Sequence, residues 1–379
     1  MSLSPRRPYL APTRLHDTDA WICLQSARRT WARCYGANSQ PMANRSGANT
    51  AANTRATYNC FSFLFCTSHT TELDMANDLR ISVIGLGAMG AGIANNILAA
   101  GFPVTVYNRS PQRAATLVAA GAKAAASALE AARDADVVIT MLSDDAATEA
   151  VVFGEQGILA GLAKGGIHIA MSTISEALSK RLTAAHHEAG HYFVAAPVLG
   201  RPDAAAAGKL FVAVAGPSAA IERVRPVLEK IGQRITVVGE TPAQGHLLKL
   251  IANFMISSVL ESLGESTALA QKGGIAPDTM MDFLTNSIFS APVYKTYGAI
   301  IAKQTFEPVG FALPLGQKDN RLVLQAAETH QVPMPFASVV RDRFLSARAQ
   351  GYDDLDWSAI ARLSLTDAGL VSGKKGWEK

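Results

Sequence analysis

Cysteine is missing from most of this chain. Cys23, Cys34, Cys60 and Cys66 all fall within the first 74 of its 379 residues. Their spacing matches no zinc pattern. The remainder uses neither disulfide nor thiol chemistry, which suits a reducing compartment, so a cytoplasmic location is expected. An excess of one charge is also missing from the body. Residues 1–74 hold eight arginines, no lysine and four acids, which accounts for the whole net charge of +4. Beyond them bases and acids balance, which argues against a nucleic-acid surface. Long apolar runs are absent as well. The longest candidate, Phe254 to Leu263, is interrupted by Ser257, Ser258, Glu261 and Ser262, and a membrane span needs roughly 18 residues. The expected partner is a small-molecule substrate, with no membrane and no nucleic acid.

Residues 1–74 show no sustained helical or strand period. They are rich in Arg, Ser, Thr, Asn and Ala. Two readings compete: a targeting segment, or upstream sequence read through from a start that properly lies at Met75. The second is favoured, because the stretch is long and lacks an amphipathic helix. Either way it is expected to be disordered and dispensable for chemistry.

From Leu79 the pattern changes. "LRISVIGLGAMGAGIANNILAAG" reads as a buried strand, a glycine turn and a helix ending near Gly101. Further strands follow in "PVTVYNRS", "ADVVITMLS", "GGIHIAMSTIS", "HYFVAAPVLG", "KLFVAVAG" and "RITVVG", with a helix in "PQRAATLVAAGA". Strands alternating with Ala-rich helices imply a doubly wound, mostly parallel sheet of the Rossmann type. After Gly239 strand signals stop. One long helix, from Thr241 to the Gly273-Gly274 stop, opens an all-α region with further helices at Pro277, in "QKDNRLVLQAAETH" and in "MPFASVVRDRFLSARAQG". The expected plan is an extension over 1–74, a dinucleotide-binding domain over 79–240, and an all-α substrate and dimerisation domain over 241–370. The long helix links the last two.

Gly85, Gly87 and Gly90 form G-x-G-x-x-G with Leu86, Ala88 and Met89 between them. The motif follows a strand and opens a helix, the context in which it binds a dinucleotide pyrophosphate. A tight strand-to-helix turn without ligand is the alternative. The end of the second strand bears on which dinucleotide. An acid there would hold the ribose 2′-hydroxyl of NAD. Asn108, Arg109 and Ser110 stand there instead. No carboxylate repels a 2′-phosphate and Arg109 can pair with one, so NADP is expected in preference to NAD.

"GHLLKLIANFM" places Lys249 and Asn253 four residues apart in an apolar helix, and so on one face. A lysine snorkelling to the surface beside a bonded asparagine is the simple reading. With "GLGAMGAGIANNIL", "MSTIS", "APVLGRPDAAAAGKLFVAVAG", "KLIANF" and "FALPLGQKDNRL" in this order, however, residues 79–365 resemble the β-hydroxyacid dehydrogenases. That group includes 3-hydroxyisobutyrate dehydrogenase and the glyoxylate and succinic semialdehyde reductases. The resemblance implies that Lys249 is the catalytic acid and base and that Asn253 orients substrate. It implies that Ser172 and Thr173 meet substrate and nicotinamide ribose. It also places Lys318 near the cofactor, with Asp319 beside it at the substrate, and makes Leu142 and Ser143 a loop flanking the cofactor. It implies a homodimer or homotetramer joined through the helical domains.

The departures fall on the substrate side. Where many members read Ala-Pro-Val-Ser-Gly-Gly, this chain has Ala196-Pro197-Val198-Leu199-Gly200-Arg201. Val198, Leu199 and Gly200 are still expected at the substrate. Ala170 stands where an acid is common. A bulkier or less acidic substrate follows as an expectation. The rivals are an imine reductase, a group that usually carries Asp or Tyr in place of the lysine, and a silent dinucleotide-binding scaffold. "HEAGH", residues 187–191, satisfies a zinc-protease pattern, but Gly190 should end the helix inside it. His187 and His191 are read as surface and turn residues, and no metal is expected. His168 and His246 could line the cleft, although lone histidines are usually structural. Met280 and Met281 read as core or interface packing.

Overall fold

The computed structural model describes residues 78–371, and the expectations placed on residues 1–74 lie outside them. Residues 81–239 build a nine-stranded sheet: β1 (Ile81–Ile84), β2 (Val104–Tyr107), β3 (Lys123–Ala124), β4 (Val137–Thr140), β5 (Ile167–Ala170), β6 (Tyr192–Ala195), β7 (Val198–Leu199), β8 (Leu210–Ala215) and β9 (Gly232–Gly239). The order is β3-β2-β1-β4-β5-β6-β8-β7, with β9 paired to β8. From β3 to β6 every pairing is parallel. β8 runs antiparallel to β6 and β7, and parallel to β9. β1, β4 and β5 are buried throughout, as continuous Val/Ile-rich runs covered on both faces should be.

Helices α1 (Ala88–Ala99), α2 (Ala115–Ala119), α3 (Ala128–Arg133), α4 (Asp145–Phe153), α5 (Ile158–Gly161), α6 (Glu176–Glu188), α7 (Pro202–Ala206) and α8 (Ser218–Leu228) connect the strands. Two clusters of buried apolar side chains fill the two faces of the sheet. One gathers Ile93, Ile97, Val83 and Ile139; the other gathers Ile84, Val138, Leu178 and Leu182. Ile93 and Ile97 are four apart, so one stripe of α1 meets the sheet.

The rest is helical: α9 (Pro242–Lys272), α10 (Pro277–Thr285), α11 (Pro292–Lys303), α12 (Leu313–Thr329), α13 (Pro335–Ala349) and α14 (Ala361–Asp367). α9 starts with Pro242 at its first position and a capping box between Thr241 and Gln244, which satisfies two otherwise orphan N–H groups. By length and hydropathy alone α9 would suffice to cross a membrane, contrary to the reading of its interrupted apolar run. It instead packs against the sheet, α6, α12 and α14.

The structure adds β3, α11 and α14 to the expected elements, and divides the strand expected in "HYFVAAPVLG" into β6 and β7. β3 and β7 are two residues each, too short for a period to register. The helix expected from Pro111 begins as a 3-10 turn, Pro111–Ala114, before α2.

Candidate active site

β1 and β4 are neighbours, but the chain leaves β1 toward β2 and returns for β4. That reversal opens a crevice at the carboxyl ends of the strands, where ligands bind in doubly wound sheets. The three glycines occupy it with separate duties. Gly85 has φ +97°, and a Cβ there would fall 2.3 Å from the Met141 carbonyl oxygen. A Cβ on Gly90 would fall 1.9 Å from the Gly85 oxygen. Gly87 faces open space, with nothing within 4 Å of where its Cβ would be. It is the N-cap of α1, with no side-chain cap and no acid in the first turn. An open glycine before an uncapped twelve-residue helix fits a pyrophosphate, which would take the free N–H groups and the positive dipole end. Leu86 is buried, Ala88 exposed and Met89 between these.

Asn108 braces this turn: its Oδ1 accepts the Leu86 N–H at 2.9 Å, and its Nδ2 donates to the Ser110 carbonyl at 3.1 Å. Arg109 beside it is exposed and makes no hydrogen bond or ion pair among the described residues. Behind β4, Ser172 Oγ accepts the Leu142 N–H at 2.7 Å, tying that loop to the one after β5. Ser143 donates to Asp144, which caps α4 by accepting from Ala147. These bonds hold Asp144 below the usual carboxylate range, the Ala147 N–H first among them.

Lys249 reaches the crevice because α9 lies close on the sheet one turn earlier. A Cβ on Gly245 would sit 3.2 Å from those of Ala195 and Ala215. Lys249 is half-buried at the edge of the crevice, and desolvation lowers its pKa to about 8 against the opposing pull of Asp319. Nζ donates to Asn253 Oδ1 at 2.9 Å, and Asn253 Nδ2 donates to Asp319 Oδ2. Asp319 pairs through Oδ1 with Lys318 at 2.8 Å, and Lys318 donates to the Thr173 carbonyl at 2.6 Å. Lys249, Asn253, Asp319, Lys318 and Thr173 thus form one chain from α9 to the loop after β5.

A cleft of about 500 Å³ opens over this chain. Met89, Thr173, Val198, Leu199, Gly200, Lys249 and Asn253, all singled out from sequence, line it. Ser172 and Asp319, expected at the substrate, are buried behind the wall and act through Leu142 and Asn253. Sequence reasoning missed four aromatic side chains that also line the cleft, Phe211, Tyr297, Phe311 and Trp357. No spacing links those four, so no local signal marks them.

The histidines are arranged differently from expectation. His168 and His246 are fully buried and do not line the cleft. His168 Nε2 is 3.0 Å from Thr140 Oγ1 and its Nδ1 2.8 Å from His186 Nε2; His186 Nδ1 is 3.4 Å from His191 Nδ1. His191 is therefore buried rather than at the surface, drawn inward by this chain, whereas His187 is exposed. α6 ends at Glu188, inside the zinc-protease pattern. No cluster of three or more potential metal ligands occurs among the described residues. Met281 is core, packed against α11.

Residues 80–239 match the family model described as the NAD binding domain of 6-phosphogluconate dehydrogenase. Residues 243–364 match that described as the NAD-binding of NADP-dependent 3-hydroxyisobutyrate dehydrogenase. The chain is 46% identical over 284 residues to the uncharacterized oxidoreductase YfjR of Bacillus subtilis, covering 75% of this chain and 99% of that one. It is 34% identical to glyoxylate/succinic semialdehyde reductase 1 of Arabidopsis thaliana, covering 74% and 97%. Among solved structures, 3-hydroxyisobutyrate dehydrogenase from Salmonella typhimurium superposes with a TM-score of 0.69 at 30% identity, over 76% of this chain and 100% of that one. An imine reductase from Myxococcus stipitatus shares the fold at 19% identity and a TM-score of 0.52, over 75% and 99%.

Proposed function

This chain belongs to the β-hydroxyacid dehydrogenase family, and on that footing we propose that Lys249 is the acid and base of an NADP-dependent interconversion of a hydroxyacid, or related alcohol, with its aldehyde or ketone. Oxidoreduction at a CH–OH group with NAD(P) is the activity of the family's named members. The observation that carries the lysine's role is its setting: an ammonium at the cleft wall, brought to about pKa 8 and aimed by Asn253.

The bound nicotinamide supplies the hydride. Carbonyl reduction leaves an alkoxide needing a proton, and alcohol oxidation must remove one. A group with a pKa near 8 can do both close to neutrality. Asn253 fixes where Nζ points, and its own amide is fixed by buried Asp319. Arg109, which has no partner among the described residues, and the absence of an acid at the end of β2 support NADP over NAD. A cytoplasmic homodimer or homotetramer is part of the same proposal.

The imine reductase reading meets Lys249 where that group usually has Asp or Tyr, and its likeness here is one of fold alone. A silent scaffold would not need Lys249 and Asn253 in the wall of an open cleft. The deciding experiment follows NADPH oxidation with a panel of semialdehydes, ketones and cyclic imines. Turnover of oxo acids is expected. Turnover confined to cyclic imines, or none beside tight NADPH binding, would replace this reading with one of the other two.

A further inference from the structure

Arg201 lines the cleft and reaches a carboxylate of the helical region. Its Nη1 donates to Asp356 Oδ2 at 3.3 Å, and its guanidinium carbon lies 5.7 Å from the centre of the Tyr297 ring. The Tyr297 hydroxyl is held in turn by the Trp357 indole N–H at 2.9 Å. A Cβ on Gly310 would fall 1.9 Å from Arg201 Nη2 and 2.1 Å from Cζ. The guanidinium therefore lies against bare backbone, and only glycine leaves the room. Residues far apart in sequence, Tyr297, Gly310 and Asp356, are shaped around one cation.

Asp356 does not need that cation. Its Oδ2 also accepts the N–H groups of Gly310 and Phe311, each at 3.0 Å, and its Oδ1 accepts from Ser358 N–H and Oγ. Four donors besides Arg201 satisfy a carboxylate that is 1% exposed. The Arg201–Asp356 bond is longer than the roughly 2.7–2.9 Å of a strong charge-assisted bond. Arg201 itself lines the cleft. The cleft that holds both Arg201 and Lys249 is lined largely by apolar side chains, among them Leu199, Phe211, Ile256 and Phe311. Ile256 belongs to the apolar cluster that includes Tyr297. It stands seven residues beyond Lys249 on α9, roughly 10 Å along the axis.

We propose that Arg201 is a specificity-determining residue that receives the substrate's carboxylate at the Tyr297 end of the cleft, while the reacting carbon lies at Lys249. The substrate class is then an oxo acid, with its hydroxyacid, whose acid and carbonyl are separated by an apolar spacer of several carbons. This rests on the reaction proposed above and adds where the acid group sits.

The test uses a chain-length series of ω-oxo acids, each beside its methyl ester, with wild type, Arg201→Gln, Arg201→Lys and Gly310→Ala. Melting temperature and NADPH fluorescence titration check that each variant folds and binds cofactor. Wild type is expected to favour the longer acids over the shortest and over their esters. Arg201→Gln is expected to raise KM for the acids roughly tenfold to a hundredfold, with kcat within a few-fold and the esters unmoved. Arg201→Lys recovers part of the loss, and Gly310→Ala, which displaces the guanidinium, imitates Arg201→Gln. Acid and ester weakening together, or best turnover with the shortest acid, would overturn the proposal. Calorimetry of an unreactive long-chain carboxylate against its primary amide, bound to the NADPH complex, gives a second readout. A preference for the carboxylate that disappears in Arg201→Gln supports the anchor even where no panel member turns over, an outcome that would count against the reaction alone. No such preference in wild type overturns the anchor itself.

Discussion

At the scale of single residues, the depressed pKa of Lys249 makes the sharpest expectation. Burial pushes its ammonium down to about 8, and in the proposed mechanism the charged form would carry reduction and the neutral form oxidation. The reductive kcat should therefore fall as pH rises through about 8, and the oxidative kcat should rise over the same interval. Lys249→Ala should bind NADPH normally, lose roughly 100-fold or more in kcat, and lose the titration near 8. Undiminished turnover in that variant would remove the lysine from the mechanism. Arg109 supports a second expectation. It is exposed and has no partner among the described residues, so pairing with a 2′-phosphate gives up no bond with them. Arg109→Leu should raise KM for NADPH roughly tenfold or more while leaving KM for NADH within a few-fold, read from initial rates with each cofactor. Equal effects on the two would leave the preference to other groups.

At the scale of elements, the parts legible in sequence are those whose signal is local. The glycine turn spans six residues between a strand and a helix, and Lys249 and Asn253 share a helix face by spacing alone. What was illegible joins distant segments: Ser172 to Leu142, Arg201 to Asp356, and the aromatic wall contributed by β8, α11 and the segments flanking α12 and α14. The histidines illustrate the same limit. Singly they carry no message, but β5, α6 and the turn before β6 bring His168, His186 and His191 into one buried chain, with Phe193 stacked between His186 and His246. Desolvation holds His186 and His246 at about 3, and His168 well below its ordinary value of 6.5. The unfolded chain binds protons that the folded one refuses, so this stability is complete above pH 6.5 and declines as pH falls from there toward about 3. Each such histidine contributes a slope of up to about 1.4 kcal/mol per pH unit. Urea unfolding from pH 7 to 5 should show the midpoint falling steeply, and His186→Phe should flatten the slope. A midpoint independent of pH over this range would mean that the histidines are protonated in the folded state.

At the scale of the whole molecule, the helical half leaves apolar side chains that its own core does not cover. Leu269 near the end of α9, Phe283 on α10 and Ile288 just beyond it are 75%, 73% and 92% exposed. Ile251 and Met255 add a strip on the side of α9 turned away from Lys249. Single exposed apolar residues need no explanation, but a set of large ones on and beside two adjoining helices is what an interface would present. A second copy of this chain is the occupant expected for a helical half that also builds the substrate cleft, and a stable dimer would bury roughly 800 Å² per partner. Sedimentation velocity at micromolar concentration should give a dimer or tetramer for wild type. Phe283→Asp with Ile288→Asp should shift it to monomer, because each carboxylate would have to be desolvated in the interface. Those side chains do not line the cleft, so a monomer that keeps NADPH affinity but loses turnover would mean that pairing holds α9 and its lysine in place. A wild-type monomer would leave the exposed strip without a partner of its own kind.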